Sequence, residues 1–123
     1  MRFGLVGAGG IAQAYGQIFQ VVDEAELVAV ADTRSEAARA MAEGAKAGCG
    51  AFTDHEEMAA KCELDAVLVC TPPSTHAEIC RFFLERNVPV LCEKPLATES
   101  ATARELVELA RAKDVVFTMA TKF

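Results

Sequence analysis

The sequence predicts an α/β fold, a doubly wound parallel sheet of about six strands with helices on both faces. Two observations carry this expectation. Short apolar runs alternate with segments of helical period along the whole chain, the signature of repeated strand–helix–strand units. One of those runs, Ala66 to Cys70, is apolar at every position, as a strand covered on both faces must be. A chain of 123 residues that is 52% hydrophobic has the size of one domain and ample material for its core.

Taken in order, Phe3 to Val6 reads as the first strand and Ile11 to Gln20 as the helix after it. Leu27 to Ala31 is the second strand, ending at Asp32. Thr33-Arg34-Ser35-Glu36 has capping-box spacing and predicts a helix near Ser35 to Glu43. The small, glycine-rich stretch Gly44 to Gly50 is a loop before a short strand at Ala51-Phe52. Thr53-Asp54-His55-Glu56 repeats the capping-box spacing and opens a short helix towards Lys61. Ala66 to Cys70 is the fourth strand, broken at Thr71-Pro72-Pro73 because proline lacks the donor that a central strand needs. Thr75 and Glu78 offer a third capping box, and Ile79, Cys80, Phe83 and Leu84 then form one apolar helical face. Val88 to Cys92 is the fifth strand, with Pro89 tolerated near its start. Ala103, Leu106, Val107 and Ala110 mark the buried stripe of a last helix, and Val115 to Thr121 is a sixth strand. No repeat, low-complexity segment or linker interrupts the alternation.

Composition narrows the function. Net charge is −6 with both signs interspersed, so the basic footprint that nucleic acid requires is missing. No apolar run approaches the roughly 18 residues of a membrane span. Met1-Arg2-Phe3 leads directly into a strand without a signal-peptide pattern, and a cytoplasmic location is expected. The five cysteines, Cys49, Cys62, Cys70, Cys80 and Cys92, form no close pairs. Metal sites show shorter spacings, and an odd count argues against a disulfide framework. Most read as small hydrophobes in a reduced core. Cys92 has two readings, a buried strand residue, which is preferred, or part of a site lining.

Gly7-Ala8-Gly9-Gly10-Ile11-Ala12 fits G-x-G-x-x-A between a strand and a helix. Gly7 allows the tight turn, Gly9 lets backbone approach a pyrophosphate, and Ala12 permits close helix–strand packing. Gly10 and Ile11 open the helix, whose free N–H groups and positive dipole end suit phosphates. Asp32, 20 residues after Ala12, stands where an acid bonds both ribose hydroxyls of a dinucleotide. Its alternative is a helix-cap residue. An acid there repels a 2′-phosphate, so NAD is expected over NADP. Arg34 tempers this: it can pair with such a phosphate, stack on adenine, or simply face solvent. Loops after the fourth and fifth strands, Thr71 to His76 and Glu93-Lys94-Pro95, should approach the cofactor beside the first.

At these loops the chain resembles the N-terminal domain of the glucose–fructose oxidoreductase/inositol dehydrogenase/MocA family of NAD(P)-dependent oxidoreductases, a Rossmann-type domain. The matching pieces are Gly7 to Ala12, Ala31-Asp32, Cys70-Thr71-Pro72-Pro73-Ser74-Thr75-His76 and Cys92-Glu93-Lys94-Pro95-Leu96. The pairing of Thr-Pro-Pro-x-x-His with Glu-Lys-Pro is far more specific than the glycine turn. The resemblance implies that Thr71 and Pro72 contact the middle of the cofactor and that His76 positions their loop. It puts Glu93 and Lys94 near the nicotinamide ribose and ring, with Lys94 the candidate catalytic residue that binds or protonates a substrate oxygen. A cis peptide at Lys94-Pro95 is one option, since X–Pro bonds lose most of the trans preference. The plainer readings are a surface charge for Lys94, a first-turn helix residue for His76 and a loop-holding acceptor for Glu93. His55, on a polar segment, reads as solvated.

The resemblance also implies a second α/β domain supplying substrate contacts and most of a homo-oligomer interface, beyond the 123 residues read here. An exposed apolar strip is therefore expected near Val115 to Phe123. The function read from all this is the cofactor domain of an oxidoreductase passing hydride between NAD(P) and a sugar, polyol or related small molecule. A stand-alone cofactor-binding module without activity of its own is the alternative. A methyltransferase-like nucleoside binder is a third reading, and Glu93-Lys94-Pro95 counts against it.

Overall fold

A strand buried at every position has to lie inside a sheet, and β4 (Ala66–Val69) is buried at all four. In the computed structural model, which describes residues 1–46 and 48–121, β4 pairs in parallel with β1 (Arg2–Val6) and β5 (Val90–Glu93). β2 (Glu26–Ala31) and β3 (Gly50–Phe52) extend the sheet beyond β1, and β6 (Phe117–Ala120) extends it beyond β5. The order is β3-β2-β1-β4-β5-β6 and every pairing is parallel. This is the doubly wound Rossmann arrangement expected from the alternation of elements.

Side chains on successive strand residues point to opposite faces, and the two faces carry separate cores. Leu5, Val30 and Leu68 meet α1 (Gly10–Val21) and α2 (Ser35–Gly44) through Ala12, Phe19, Ala38 and Met41. Val6, Val67, Val69 and Val90 meet α3 (His55–Lys61), α4 (Pro73–Glu85) and α5 (Ser100–Lys113) through Met58, Phe83, Leu84 and Leu106. Phe83 is wholly buried, so truncating it to Ala costs about 3–5 kcal/mol. No helix among the described residues is long and apolar enough to cross a membrane.

Several helix caps and element starts differ from the sequence expectation, each for a local reason, although α2 begins at Ser35 as expected. α2 has Arg34 at its N-cap without a side-chain cap, because the nearby acceptor is Asp32, which takes the Arg34 N–H at 2.8 Å. The Thr33–Glu36 capping box therefore does not form. At α3 the cap is Asp54, which accepts the Glu56 N–H at 2.7 Å, so a carboxylate replaces the expected Thr53. α4 begins at Pro73, whose preset φ and missing N–H suit the first helical position. Thr75 then falls inside the first turn, with its hydroxyl 2.7 Å from Thr71 Oγ1 and from Pro72 O. β6 starts at Phe117 because the Val115 N–H still closes α5 on Ala110 O.

The apolar strip expected near the end of the chain is interrupted. Val116 is 67% exposed and Met119 36%, while Val115 and Phe117 pack against the core. Positions 122 and 123 lie outside the described residues.

Candidate functional site

The turn after β1 is forced to be glycine. Gly7 has φ of +94°, and a Cβ there would lie 2.7 Å from the carbonyl carbon and oxygen of Cys70. Its N–H donates to Ala31 O at 2.8 Å, so the turn is tied to β2. Gly9 differs: a Cβ on it would meet nothing within 4 Å. The space in front of Gly9 is open, as the approach of a pyrophosphate requires. α1 starts there with no side-chain cap and no acid in its first turn, so nothing among the described residues competes for its N–H groups. Gly10 and half-exposed Ile11 form that first turn, and Ala12 is fully buried, which brings α1 close to the sheet.

Asp32 stands at the end of β2 with its carboxylate turned back on the turn. Oδ2 accepts the Ala8 N–H at 2.8 Å, Oδ1 accepts the Arg34 N–H at 2.8 Å, and the Arg34 guanidinium Nε lies 3.4 Å from Oδ1. Burial works against its charged form. The two backbone donors and the Arg34 charge outweigh it and hold the carboxyl below its usual value. Asp32 therefore organises the backbone of both turns and keeps lone pairs for further donors, since a carboxylate accepts about four.

A cleft of about 610 Å³ opens where Gly7, Gly9, Asp32, Arg34, Thr71 and Pro72 converge. It lies beyond the carboxyl ends of β1, β2 and β4, at the point where the strand order reverses. Its volume is ordinary for a small-molecule site. His55 and Ile79 also line it. His55 is not the solvated side chain its polar segment suggested: only 18% of it is exposed, and its ring packs edge-on against Phe82 with centroids 5.0 Å apart. The helical turn that brings Phe82 under it is invisible to local sequence.

Glu93, Lys94 and His76 lie outside that cleft lining, around the end of β5. Lys94 is exposed and, among the described residues, makes no hydrogen bond or ion pair. The Lys94–Pro95 peptide is cis. His76 is 1% exposed, with Nδ1 2.6 Å from Pro95 O and Nε2 2.7 Å from Thr71 O. It joins the two loops and does not face the cleft, so any bearing on a cofactor runs through them. Cys92 is fully buried in β5, as the strand reading held. Glu93 Oε1 accepts the hydroxyl of Tyr15 at 2.5 Å. Tyr15 escaped the sequence reading because its partner is 78 residues away and a half-apolar residue on an amphipathic helix carries no signal.

The family model described as "Oxidoreductase family, NAD-binding Rossmann fold" (GFO_IDH_MocA) matches residues 1–121. The chain belongs to the Gfo/Idh/MocA oxidoreductase family. It is 38% identical to inositol 2-dehydrogenase 4 of Saccharopolyspora erythraea over 88% of this chain and 32% of that protein. It is 32% identical to the scyllo-inositol 2-dehydrogenase (NADP(+)) IolU of Bacillus subtilis over 99% of this chain and 37% of that protein. Among solved structures, the WlbA dehydrogenase of Bordetella pertussis in complex with NADH and UDP-GlcNAcA superposes with a TM-score of 0.88 at 32% identity, covering 97% of this chain and 36% of that one. The chain spans about a third of the length of the curated relatives it matches.

Proposed function

We propose that this Gfo/Idh/MocA chain forms the nicotinamide-dinucleotide half of a dehydrogenase acting on an inositol, sugar or related polyol. The observation that carries the reading is one cleft joining an open glycine turn to Asp32. The uncapped start of α1, with Gly9, Gly10 and Ile11, takes the pyrophosphate. Asp32 takes the ribose hydroxyls of the adenosine half. Thr71 and Pro72 form the opposite wall, and Glu93 and Lys94 serve the nicotinamide half at the end of β5. Bound nicotinamide supplies the hydride chemistry. Lys94 is the cation this chain offers to a substrate oxygen, holding it and exchanging a proton with it.

NAD is the preferred cofactor, because Asp32 repels a 2′-phosphate. The Arg34 side chain, 66% exposed and with its guanidinium Nε 3.4 Å from Asp32, keeps NADP within reach if it swings to that phosphate. Substrate contacts and a homo-oligomer interface are assigned to a second domain, in keeping with the greater length of the relatives. The free cysteines agree with a reducing, cytoplasmic setting.

Calorimetric titration with NADH and NADPH, beside Asp32→Ala, tests the reading. NADH should bind more tightly than NADPH, and the variant should lose most of that affinity while keeping its helical circular dichroism. A folded wild-type chain that binds neither nucleotide would overturn the proposal.

A further inference from the structure

The Glu93-Lys94-Pro95 segment is anchored on both sides by side chains from helices. Tyr15, on α1, places its hydroxyl 2.5 Å from Glu93 Oε1. His76, on α4, lies 2.6 Å from Pro95 O. Lys94 stands exposed between the two anchors. We infer that Tyr15 is a positioning residue for the nicotinamide half of the site, holding the Glu93 carboxylate by one oxygen so that Oε2 is left to accept the carboxamide N–H of the nicotinamide. This rests on the dinucleotide reading above.

Three observations carry it. A doubly wound sheet binds a dinucleotide as two halves astride the switch point. Asp32, at the end of β2, stands on one side, and Glu93, at the end of β5, on the other. Second, among the described residues the Tyr15 hydroxyl is the one hydrogen-bond donor to the Glu93 carboxylate, so without it the carboxylate is free to rotate. Third, Tyr15 rides on α1, the helix whose uncapped start is assigned above to the phosphates. The bond therefore puts the pyrophosphate site and the Glu93 carboxylate in one rigid frame. Burial first, and then the hydrogen bond and charge of Glu93, push the Tyr15 phenol above its ordinary range. It remains a donor at working pH, not a base.

The test compares NADH with ADP-ribose, which lacks the nicotinamide, in calorimetric titrations of wild type, Tyr15→Phe, Glu93→Gln and the double variant. Tyr15→Phe keeps the ring and removes the donor. NADH affinity should fall about tenfold in it, and ADP-ribose affinity by less than about twofold. The double variant should bind NADH no more weakly than Glu93→Gln, because residues acting through one contact are not additive. Equal losses for both ligands, unchanged NADH affinity, or additive losses in the double variant would each overturn the role of Tyr15. If Tyr15→Phe fails to fold, Glu93→Gln carries the same NADH-against-ADP-ribose comparison, and an unchanged ratio there overturns the inference. A wild-type chain that binds ADP-ribose but not NADH would also overturn it. Binding of neither would instead remove the dinucleotide reading beneath it.

Discussion

Asp32 Oδ2 accepts the backbone N–H of Ala8 at 2.8 Å, so the acid at the end of β2 braces the glycine turn that follows β1. The two parts of the nucleotide motif, separated by 24 residues, are one mechanical unit before any ligand arrives. The ligand recognition proposed for Asp32 is therefore coupled to turn geometry through a single carboxylate.

That coupling has a pH signature. The folded-state carboxyl of Asp32 titrates below its usual value. Its contribution to stability is then fully present above about pH 4, the ordinary Asp range, and is lost as pH falls through the lower folded value. Asp32→Asn should be less stable than wild type near neutrality. The gap should close as both are acidified in urea-unfolding series, and a gap that stays constant down to acid pH would contradict the assignment.

The two glycines of the turn should respond in opposite ways. Gly7→Ala places a Cβ 2.7 Å from the Cys70 carbonyl group at a φ of +94°, and the strained φ alone costs about 1–2 kcal/mol. A lower denaturation midpoint is expected. Gly9→Ala sits at φ −85° in open space, so its stability should match wild type. NADH affinity should nevertheless drop by about tenfold or more, because the methyl group occupies the pyrophosphate approach.

Removing His76 should loosen both loops at once. His76→Ala removes the ring that lies between the carbonyls of Thr71 and Pro95 and leaves a cavity, at a cost of about 3 kcal/mol. Faster amide exchange is expected in both loops together, around 71–75 and 93–96. Exchange rising in only one of them would show that the two contacts do not act as a single tie.

The thiols should be inert in the folded protein. Burial, followed by the nearby charges of Glu93 and Cys92, pushes the Cys70 thiol up to about 12, and burial with its neighbours Cys62 and Glu26 pushes Cys49 up to about 11. Cys80 is raised by its hydrogen bond with Cys92 and by burial. Since the thiolate is the reactive form, Cys70 should react with a disulfide reagent on the order of a thousandfold more slowly than an ordinary cysteine at pH 8. Denaturant should release all five thiols. Fast labelling of Cys70 in the native chain would contradict this picture.

The sequence by itself determined the α/β class, the six strands in their order along the chain, and the placement of Gly7, Gly9, Asp32, Thr71 and Pro72 at strand ends. Those features depend on periodicity, on apolar runs and on local backbone rules, all of which act over a few neighbouring residues. It misjudged the helix caps for a related reason. Asp32 and Asp54 take donors that the hydroxyls of Thr33 and Thr53 could have taken, Pro73 starts α4 ahead of Thr75, and spacing alone does not rank these competing signals.

Only the tertiary structure decided which side chains meet across the sheet. His55 lies against Phe82, His76 joins Thr71 to Pro95, and Tyr15 reaches Glu93. These contacts arise because parallel pairing stacks the strand ends side by side and packs helices from distant parts of the chain over them. Neither hydrophobic period nor motif spacing encodes that long-range geometry. It follows from how the whole core closes.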